Sequence, residues 1–298
     1  MDIKKYEVLL NTLNRGCFAK ACEDLGYSQP AITHMMKSME REIGLPLLRR
    51  SNKGIQLTNE GQEVLPLIQE LVKANDRLTQ KYDEILGGET GRVRVGCFPT
   101  MACAWMPKIL REFEARYPNI QVELLEENSL PCLENWLTTG FVDLCLISRQ
   151  PKHTFHWFQM KNDPFYALLP IDHPLAACDL VPAKAMGEYP FLSCRSKDGK
   201  DADIDAYLES QGVKVQHKFS SNLDYTIGFM VREGLGISIL PGLILEVIFG
   251  TNPLDIAVRK LDPPAHRELG IAVRAAEDIS PAMDRFIRCA QDVVSAGK

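Results

Sequence analysis

The polar residues Gln29, Thr33, His34 and Lys37 are spaced as one face of a short helix. A Gln side chain can pair bidentately with adenine, and Thr or His can reach base edges or phosphates in the major groove of DNA. Lys37 is better placed for a phosphate, which supplies affinity but no sequence information. The same pattern also fits the solvated face of a small three-helix core, so both interpretations stand at this point.

Three helical segments are predicted around this face. An amphipathic pattern covers residues 3–14, a shorter helix covers residues 18–25, and a tight turn follows at Gly26. Ser28 is a good N-cap for the third helix, and Pro30 fits its first turn, where a missing N–H costs nothing. The third helix would bury its apolar residues, which are Ile32, Met35, Met36 and Met39. Two helices joined by a short turn, the second polar on its outer face, suit insertion into a major groove.

Residues 44–58 are predicted to form a β-ribbon with a basic tip. Arg49, Arg50 and Lys53 lie close together there, and the first 60 residues hold nine Lys and Arg against seven Asp and Glu. The whole chain carries a formal net charge of −5, so the basic excess is confined to its N-terminal part. A basic ribbon can lie along the phosphate backbone and contribute salt-dependent affinity.

The N-terminal segment resembles the LysR-type transcriptional regulators. The matching stretches are residues 18–25, 28–33, 39–40, 42–44, 46–50 and 57–61. They include a Ser-Gln-Pro-Ala turn and a Leu-Thr-x-x-Gly exit. Two positions depart from the family pattern, because Cys17 stands where a serine opens the helix and His34 where an arginine is usual. The resemblance implies a winged helix-turn-helix over residues 1–58 that binds double-stranded DNA, with contacts from Ser28, Gln29, Pro30, Thr33, His34, Lys37, Arg49, Arg50 and Lys53.

A long helix is predicted to follow, from a cap at Thr58 to about Leu86, roughly 43 Å at 1.5 Å per residue. Its apolar residues recur at heptad spacing, as Val64, Leu71, Leu78 and Ile85 at one position and as Ile68 and Tyr82 at the other, where Asn75 is a polar interruption. Such a stripe either packs on its own domain or pairs with a second chain, and we favour pairing, with Asn75 setting the register. Residues 59–90 would then be a dimerisation helix and a glycine-rich hinge.

From residue 91 strands and helices alternate, which predicts βαβ units and a largely parallel sheet. Among the expected elements are a helix over residues 101–117, a strand over residues 213–219 and a helix capped by Asn222. This region resembles the two-lobed α/β effector-binding domain of the LysR family, related in architecture to type 2 periplasmic binding proteins. We expect lobe I at about residues 91–162 and 266–298, and lobe II at about 163–265. The residues that support this resemblance are Arg94-Val95-Gly96, Pro99-Thr100, Gly140-x-x-Asp143, Asp172 to Leu175, and Gly234 to Pro241.

Ligands of such sheets bind between the lobes, at the carboxyl ends of strands and near helix N-termini. Thr100 opens a predicted helix and could hold a carboxylate or act only as an N-cap. Arg149 could pair with an anionic effector or remain a charge at the rim. In the family, the positions of Thr100, Ser129 and Ser193 line the effector cavity. The expected effector-binding residues are Thr100, Met101, Ser129, Ser148, Arg149, Ser193 and Cys194.

Cys194 raises a second hypothesis, because it lies near the position of the reactive cysteine in the family's peroxide sensor. Arg195 could lower the pKa of that thiol, which would favour a redox-sensing regulator. No cysteine follows Cys194 until Cys289, however, so a local switch disulfide is not expected. A pocket-lining or buried thiol is the alternative.

Composition supports a multidomain globular protein, with 45% apolar and 24% charged residues in 298. No catalytic motif, metal spacing or phosphate loop is visible, so we expect neither an enzyme nor a cofactor. The polar N-terminus and the lack of a long apolar run predict a cytoplasmic protein without membrane contact. We therefore predict a homo-oligomeric regulator, a dimer or tetramer, controlled by a small molecule; a non-regulatory binding protein or an enzyme of the same α/β fold is the rival.

Overall fold

The chain is described by a computed structural model that covers residues 2–15, 21–22, 25–51, 54–85, 90–195, 202–250 and 255–296. It consists of an N-terminal helical head with a β-ribbon, a long helix, and a C-terminal α/β region built on a mixed sheet. The predicted fold class is confirmed. No helix within the described residues is long and apolar enough to cross a membrane.

The structure contains ten helices and twelve strands within the described residues. The helices are α1 Ile3–Arg15, α2 Gln29–Ile43, α3 Asn59–Ile85, α4 Pro99–Ala104, α5 Met106–Arg116, α6 Leu130–Thr139, α7 Ala202–Ser210, α8 Asp224–Arg232, α9 Gly242–Phe249 and α10 Pro281–Ala296. The strands are β1 Leu48–Ser51, β2 Gly54–Leu57, β3 Gly91–Cys97, β4 Ile120–Glu126, β5 Leu144–Ser148, β6 His156–Pro170, β7 Leu180–Pro182, β8 Pro190–Cys194, β9 Gln216–Ser221, β10 Ser238–Pro241, β11 Ile256–Asp262 and β12 His266–Val273. Single 3₁₀ turns occupy Pro174–Ala177, Ala183–Gly187 and Ala276–Asp278.

The head has its own apolar core. α2 buries Ile32, Met36 and Met39 against α1, while Met35 is half-buried. Most of the short helix predicted at residues 18–25 lies outside the described residues, but Ala21 belongs to the same core. The antiparallel pair β1 and β2 confirms the predicted ribbon.

The long helix α3 divides its apolar residues between two surroundings. Ile68 and Val72 are buried in the core of the head, which fixes α3 to that domain. Other large apolar side chains of α3 remain exposed; they are Leu67, Leu71, Leu78, Tyr82 and Ile85. The sequence left open whether the helix packs on its own domain or pairs with a second chain. In the structure it packs on its own head and also leaves an apolar stripe exposed.

The C-terminal region contains a sheet with the order β4-β3-β5-β12-β6-β11-β7, in which β10 also pairs with β6. The long strand β6 pairs with β12 as far as Pro164 and then with β10 and β11 from Phe165 onward. β6 therefore belongs to both lobes, and the change from lobe I to lobe II falls near Asp163. A parallel pair, β8 and β9, completes lobe II.

Several predicted elements need correction. The helix expected over residues 101–117 begins at Pro99 and is broken at Trp105 into α4 and α5, because Pro107 supplies no N–H to continue the first helix. The strand expected over residues 213–219 begins at Gln216. Asn222 is not a cap, since Leu223 is the N-cap residue of α8 and no side chain caps it.

The head and α3 also contact lobe I. The Thr139 hydroxyl of α6 donates to Asn14 Oδ1 of α1 at 3.0 Å. Lys73 Nζ of α3 lies 3.8 Å from Asp278 Oδ2, and Arg94 Nη2 of β3 lies 3.6 Å from Asp76 Oδ2 of α3. A cavity of about 650 Å³ remains between these elements.

Candidate DNA-binding face and effector cleft

The predicted DNA-contacting face of α2 is open to solvent. Gln29, His34 and Lys37 are exposed and Thr33 is half-exposed, on the side of the helix opposite its buried residues. Ser28 is the N-cap, as predicted, and its hydroxyl accepts the N–H of Ala31 at 3.4 Å. Both ends of α2 are fixed, because Gly44 takes a left-handed conformation at its C-terminus (φ 81°). The helix thus exposes a polar surface of fixed position that could enter a groove of DNA.

Glu40 connects α2 to the β-ribbon, and sequence reasoning had given it no role. Its Oε1 accepts the backbone N–H of Leu47 at 2.7 Å and of Leu48 at 2.9 Å. A charged acceptor that binds two N–H groups holds the start of β1 in one orientation relative to α2. The match of Met39-Glu40 to the family was visible in the sequence, but the position of its partners was not.

The exit of the ribbon is equally well fixed. Thr58 donates its hydroxyl to the carbonyl of Pro46 at 2.7 Å and accepts the N–H of Gly61 at 2.9 Å, so it caps α3 as predicted. A Cβ at Gly61 would lie 2.4 Å from the carbonyl oxygen of Leu47, so only glycine fits there. The Leu-Thr-x-x-Gly motif is thus explained by packing, because its Thr and Gly hold the end of the ribbon against the start of α3.

Part of the predicted basic tip can be placed. Arg49 is exposed on β1, where it pairs with Gln56. The side chain of Arg50 and all of Lys53 lie outside the described residues. The described part of the ribbon therefore contributes one placed cation, Arg49.

The polar side chains that were predicted to bind the effector at strand ends are buried in the C-terminal domain. The exposed fractions are 5% for Thr100, 8% for Ser129, 1% for Ser148 and 5% for Ser193. Thr100, Ser129 and Ser148 lie at the carboxyl ends of the adjacent strands β3, β4 and β5, while Ser193 lies at the end of β8. Met101, by contrast, is fully buried in the apolar core of lobe I. Buried hydroxyls at strand ends are suited to orienting a small polar ligand.

Contacts between the lobes show that these strand ends face one another. Gln150 Nε2, just after β5, donates to Asp203 Oδ1 of α7 at 2.7 Å and to Ser148 Oγ at 3.3 Å. The Asn128 side-chain amide donates to the carbonyl of Asn222. These bonds join the two lobes between the ends of β3 to β5 and the ends of β8 and β9, and we call this junction the inter-lobe cleft.

Thr100 is not free to bind a carboxylate in the manner expected. It is the second residue of α4, whose N-cap residue is Phe98, and its hydroxyl donates to Asp224 Oδ2 of α8 at 3.4 Å. The lone pairs of Thr100 remain as acceptors beside a carboxylate. This end of the cleft therefore suits a ligand group that donates hydrogen bonds.

Ser193 stands in a different electrostatic environment. His217 Nδ1 of β9 lies 2.5 Å from Ser193 Oγ, and His217 Nε2 lies 2.8 Å from Arg195 Nη2. Burial, followed by the charge of Arg195, lowers the pKa of His217 below its usual value. The neutral imidazole is thus favoured at neutral pH.

Arg149 and Arg267 are both occupied by carboxylates. Arg149 Nη1 lies 3.3 Å from Glu268 Oε2, and its guanidinium lies 6.0 Å from the ring of Trp157. Arg267 Nη2 lies 3.0 Å from Asp163, a carboxylate only 1% exposed. The predicted role of Arg149 toward an anionic effector would therefore require it to leave Glu268.

Cys194 is half-buried and packs against an apolar cluster of lobe II. The cysteines that the structure describes are all free thiols. Within the same residues, no group of three or more His, Cys, Asp or Glu side chains could hold a metal ion.

A head with a helix-turn-helix and ribbon, joined by a long helix to a two-lobed domain with a polar cleft, defines a ligand-responsive transcriptional regulator. A family model described as a bacterial regulatory helix-turn-helix protein of the lysR family matches residues 3–62, and one described as the LysR substrate binding domain matches residues 86–295. The chain therefore belongs to the LysR family of transcriptional regulators.

Individual proteins agree with this assignment. The HTH-type transcriptional regulator YvbU of Bacillus subtilis is 28% identical over 298 residues, which cover 99% of this chain and 100% of YvbU. A full-length OxyR variant from Pseudomonas aeruginosa superimposes with a TM-score of 0.72 at 22% identity, covering 99% of this chain and 94% of OxyR. Full-length CbnR in complex with its target DNA gives a TM-score of 0.60 at 18% identity, covering 98% of this chain and 100% of CbnR.

Proposed function

We propose that this chain is a sequence-specific transcription factor whose DNA binding is controlled by a small molecule held between lobes I and II. The observation that supports it best is the combination, in one chain, of an exposed polar helix face and a cleft lined by buried hydroxyls. Neither feature alone would define a regulator, since a solvated helix face or a sugar-binding cleft occurs in many proteins. Together they provide a DNA reader and a sensor.

DNA recognition is assigned to α2 in the major groove and the ribbon along the backbone. Gln29, Thr33 and His34 are the base-contacting candidates, since they are accessible near the N-terminal end of α2, the end that reaches base edges in this motif. The remaining proposed contacts are positioning ones, from Ser28, Pro30, Lys37, Arg49, Arg50 and Lys53. The similarity to CbnR, whose structure was solved with its target DNA, supports this docking.

The effector is assigned to the inter-lobe cleft, with Ser129, Ser148 and Ser193 as candidate contacts. Effector binding would change the angle between the lobes, and α3 would pass that change to the spacing of two heads. The exposed apolar stripe of α3 supports pairing with a second copy of this chain, since such a stripe is stabilised when a partner covers it. The proposed units are residues 1–58, 59–90 and 91–298; the resemblance to the family further suggests a tetramer on an interrupted, imperfect palindrome.

The rival hypotheses have weaker support. The proteins to which the chain is similar are named as transcriptional regulators and not as enzymes. We propose that this protein likewise is not an enzyme and that it is located in the cytoplasm. Redox sensing by Cys194 would need a reaction partner for the thiol, whereas the hydroxyl-lined cleft supports reversible ligand binding without one.

Gel shifts of the full chain on its own upstream region test the proposal. Specific binding should weaken steeply between low and moderate salt, because each phosphate contact releases counterions. Random DNA of equal length is the matched control and should bind more weakly at every salt concentration. Equal binding to both DNAs, or no binding to any promoter fragment, would contradict a regulator of this type.

A further inference from the structure

We propose that the effector carries an oxyanion, a carboxylate or a phosphate, and that lobe II binds this group through Arg195 and Ser193, with His217 positioning both side chains. The proposal rests on the proposed function, because it specifies what the inter-lobe cleft binds. Arg195 and His217 had no assigned role in the sequence-based prediction of the cleft.

The first step concerns the proton on His217. Arg195 is always protonated, so its Nη2 donates to His217 Nε2, which must then be the unprotonated ring nitrogen. In the neutral ring Nδ1 carries the hydrogen and donates it to Ser193 Oγ. The hydroxyl hydrogen of Ser193 is therefore left to donate to a ligand, and the ligand must offer an acceptor.

The second step concerns charge. Arg149 and Arg267 are each paired with a carboxylate, whereas Arg195 has only the neutral His217 as a partner among the described residues. Its Nε is shut off from solvent and also lacks an acceptor there. The Arg195 side chain as a whole is half-exposed, so a ligand oxyanion can reach its terminal nitrogens and pair with the charge.

The third step places Arg195 at the cleft. Its backbone N–H donates to the carbonyl of Ser221 at 2.8 Å, and the next residue, Asn222, is held by Asn128 of lobe I. Asn128 immediately precedes Ser129, so Arg195 and Ser193 lie on the lobe II side of the same cleft. The opposite end, where Thr100 contacts Asp224, repels an oxyanion and leaves the Arg195 end as its site.

The test uses full-length protein labelled with ¹⁵N on histidine, with sodium sulfate and sodium acetate as probes and sucrose as the neutral control. Without a probe, the His217 ring should be neutral and protonated on Nδ1, and loss of its signal in His217→Gln identifies it. Sulfate and acetate should shift this resonance in a saturable way at constant ionic strength, and sucrose should not. The relative affinity for the two probes distinguishes a phosphate-like from a carboxylate effector.

Arg195→Gln should weaken probe binding about tenfold or more, as expected for loss of a charged hydrogen-bond donor. Arg288→Gln, which removes the same charge from an exposed site on α10, should leave it unchanged. A ring protonated on Nε2, no saturable shift with either anion, or equal binding by Arg195→Gln would each overturn the proposal. Gel shifts of the same samples report DNA binding separately, so failure of the anion site is distinguishable from failure of the regulator assignment.

Discussion

Replacing Asp163 with asparagine should destabilise the effector domain more than any surface charge change. The Asp163 carboxylate is 1% exposed, accepts the N–H of Leu243 at 2.8 Å, and lies 3.0 Å from both Nε and Nη2 of Arg267. Asparagine keeps an oxygen for Leu243 but presents no charge to Arg267. The substitution therefore leaves a guanidinium that is 12% exposed without its main counter-charge.

The expected loss follows from the burial of this pair. Removing one partner of a buried ion pair costs about 3–5 kcal/mol. Asp203 lies 3.8 Å from Arg267 and offsets part of that loss, so we expect the lower end, about 3 kcal/mol. For a domain of about 200 residues, each kcal/mol lowers Tm by about 2–4 °C, which gives a decrease of about 6–12 °C.

Thermal unfolding of the full chain, followed by circular dichroism, measures this effect. The control is Asp284→Asn, the same substitution in an exposed pair with Arg288 on α10, which should cost less than about 0.5 kcal/mol. If Asp163→Asn melted within about 2 °C of the control, the buried pair would not stabilise the junction of the lobes and the reasoning would be wrong.

Four further substitutions test the head, the long helix and its contact with lobe I. Gln29→Ala should cost about 1–3 kcal/mol at one base position per half-site, measured by gel shifts on operators with single base changes. Glu40→Ala should weaken binding to specific and random DNA together, because the ribbon loses the acceptor that orients it on α2. Leu71→Asp should produce monomers in sedimentation. Burial, followed by the charge of Arg274, lowers the pKa of Lys73 from 10.5 to about 8, so stability relative to Lys73→Met should rise between pH 8 and 10.5, where only the unfolded chain retains the proton.

Each of these variants has an informative control or a contradicting result. Glu42→Ala changes an exposed carboxylate of α2 that contacts Lys5 rather than the ribbon, so DNA binding should persist. Leu180→Asp alters an equally exposed leucine of lobe II and should leave the oligomer intact. Equal losses on all DNA sequences would refute base reading by Gln29. If the difference in unfolding free energy between wild type and Lys73→Met did not change with pH, the lowered pKa of Lys73 at this junction would be refuted.

The parts of the fold that depend on local sequence were predicted well. The Ser28 cap and the polar face of α2 are each set by a few neighbouring residues. The pattern over residues 101–117 is helical throughout, and it does not show that Pro107 breaks the helix at Trp105. No strand was predicted over β6, whose two halves belong to different lobes.

The cleft chemistry was harder to predict because it depends on contacts between distant segments. Thr100 and Asp224 are far apart in sequence, as are Ser193 and His217, so nothing near either serine or threonine indicated which proton its hydroxyl offers. For Arg195 the sequence indicates only an effect on the neighbouring thiol. The structure changes this view, because the same guanidinium reaches His217 on the adjacent strand.

Two of the looser family motifs turn out to be one physical unit. Arg94 of the Arg-Val-Gly motif donates its backbone N–H and its guanidinium to Asp143 of the Gly-x-x-Asp motif, at 2.7 Å for both Nη2 and the backbone nitrogen. Gly140 also accommodates α3, since a Cβ at this position would lie 2.7 Å from Lys73 Cε. The two motifs therefore fix β3, the end of α6 and the long helix to one another.

This arrangement bears on which part of the molecule moves when an effector binds. The polar contacts described above that join α1 and α3 to the C-terminal region are made with lobe I, through Thr139, Asp278 and Arg94. Lobe I and the head should therefore behave as one body, whereas lobe II is joined to it through β6, β12 and the contacts across the cleft. An oxyanion bound by Arg195 would draw the end of lobe II toward Ser129. Closure of the cleft would then shift lobe II relative to the unit formed by lobe I, α3 and the head. In an oligomer, contact between lobe II and a neighbouring subunit would move that unit, and α3 would pass the movement to the spacing of the two heads.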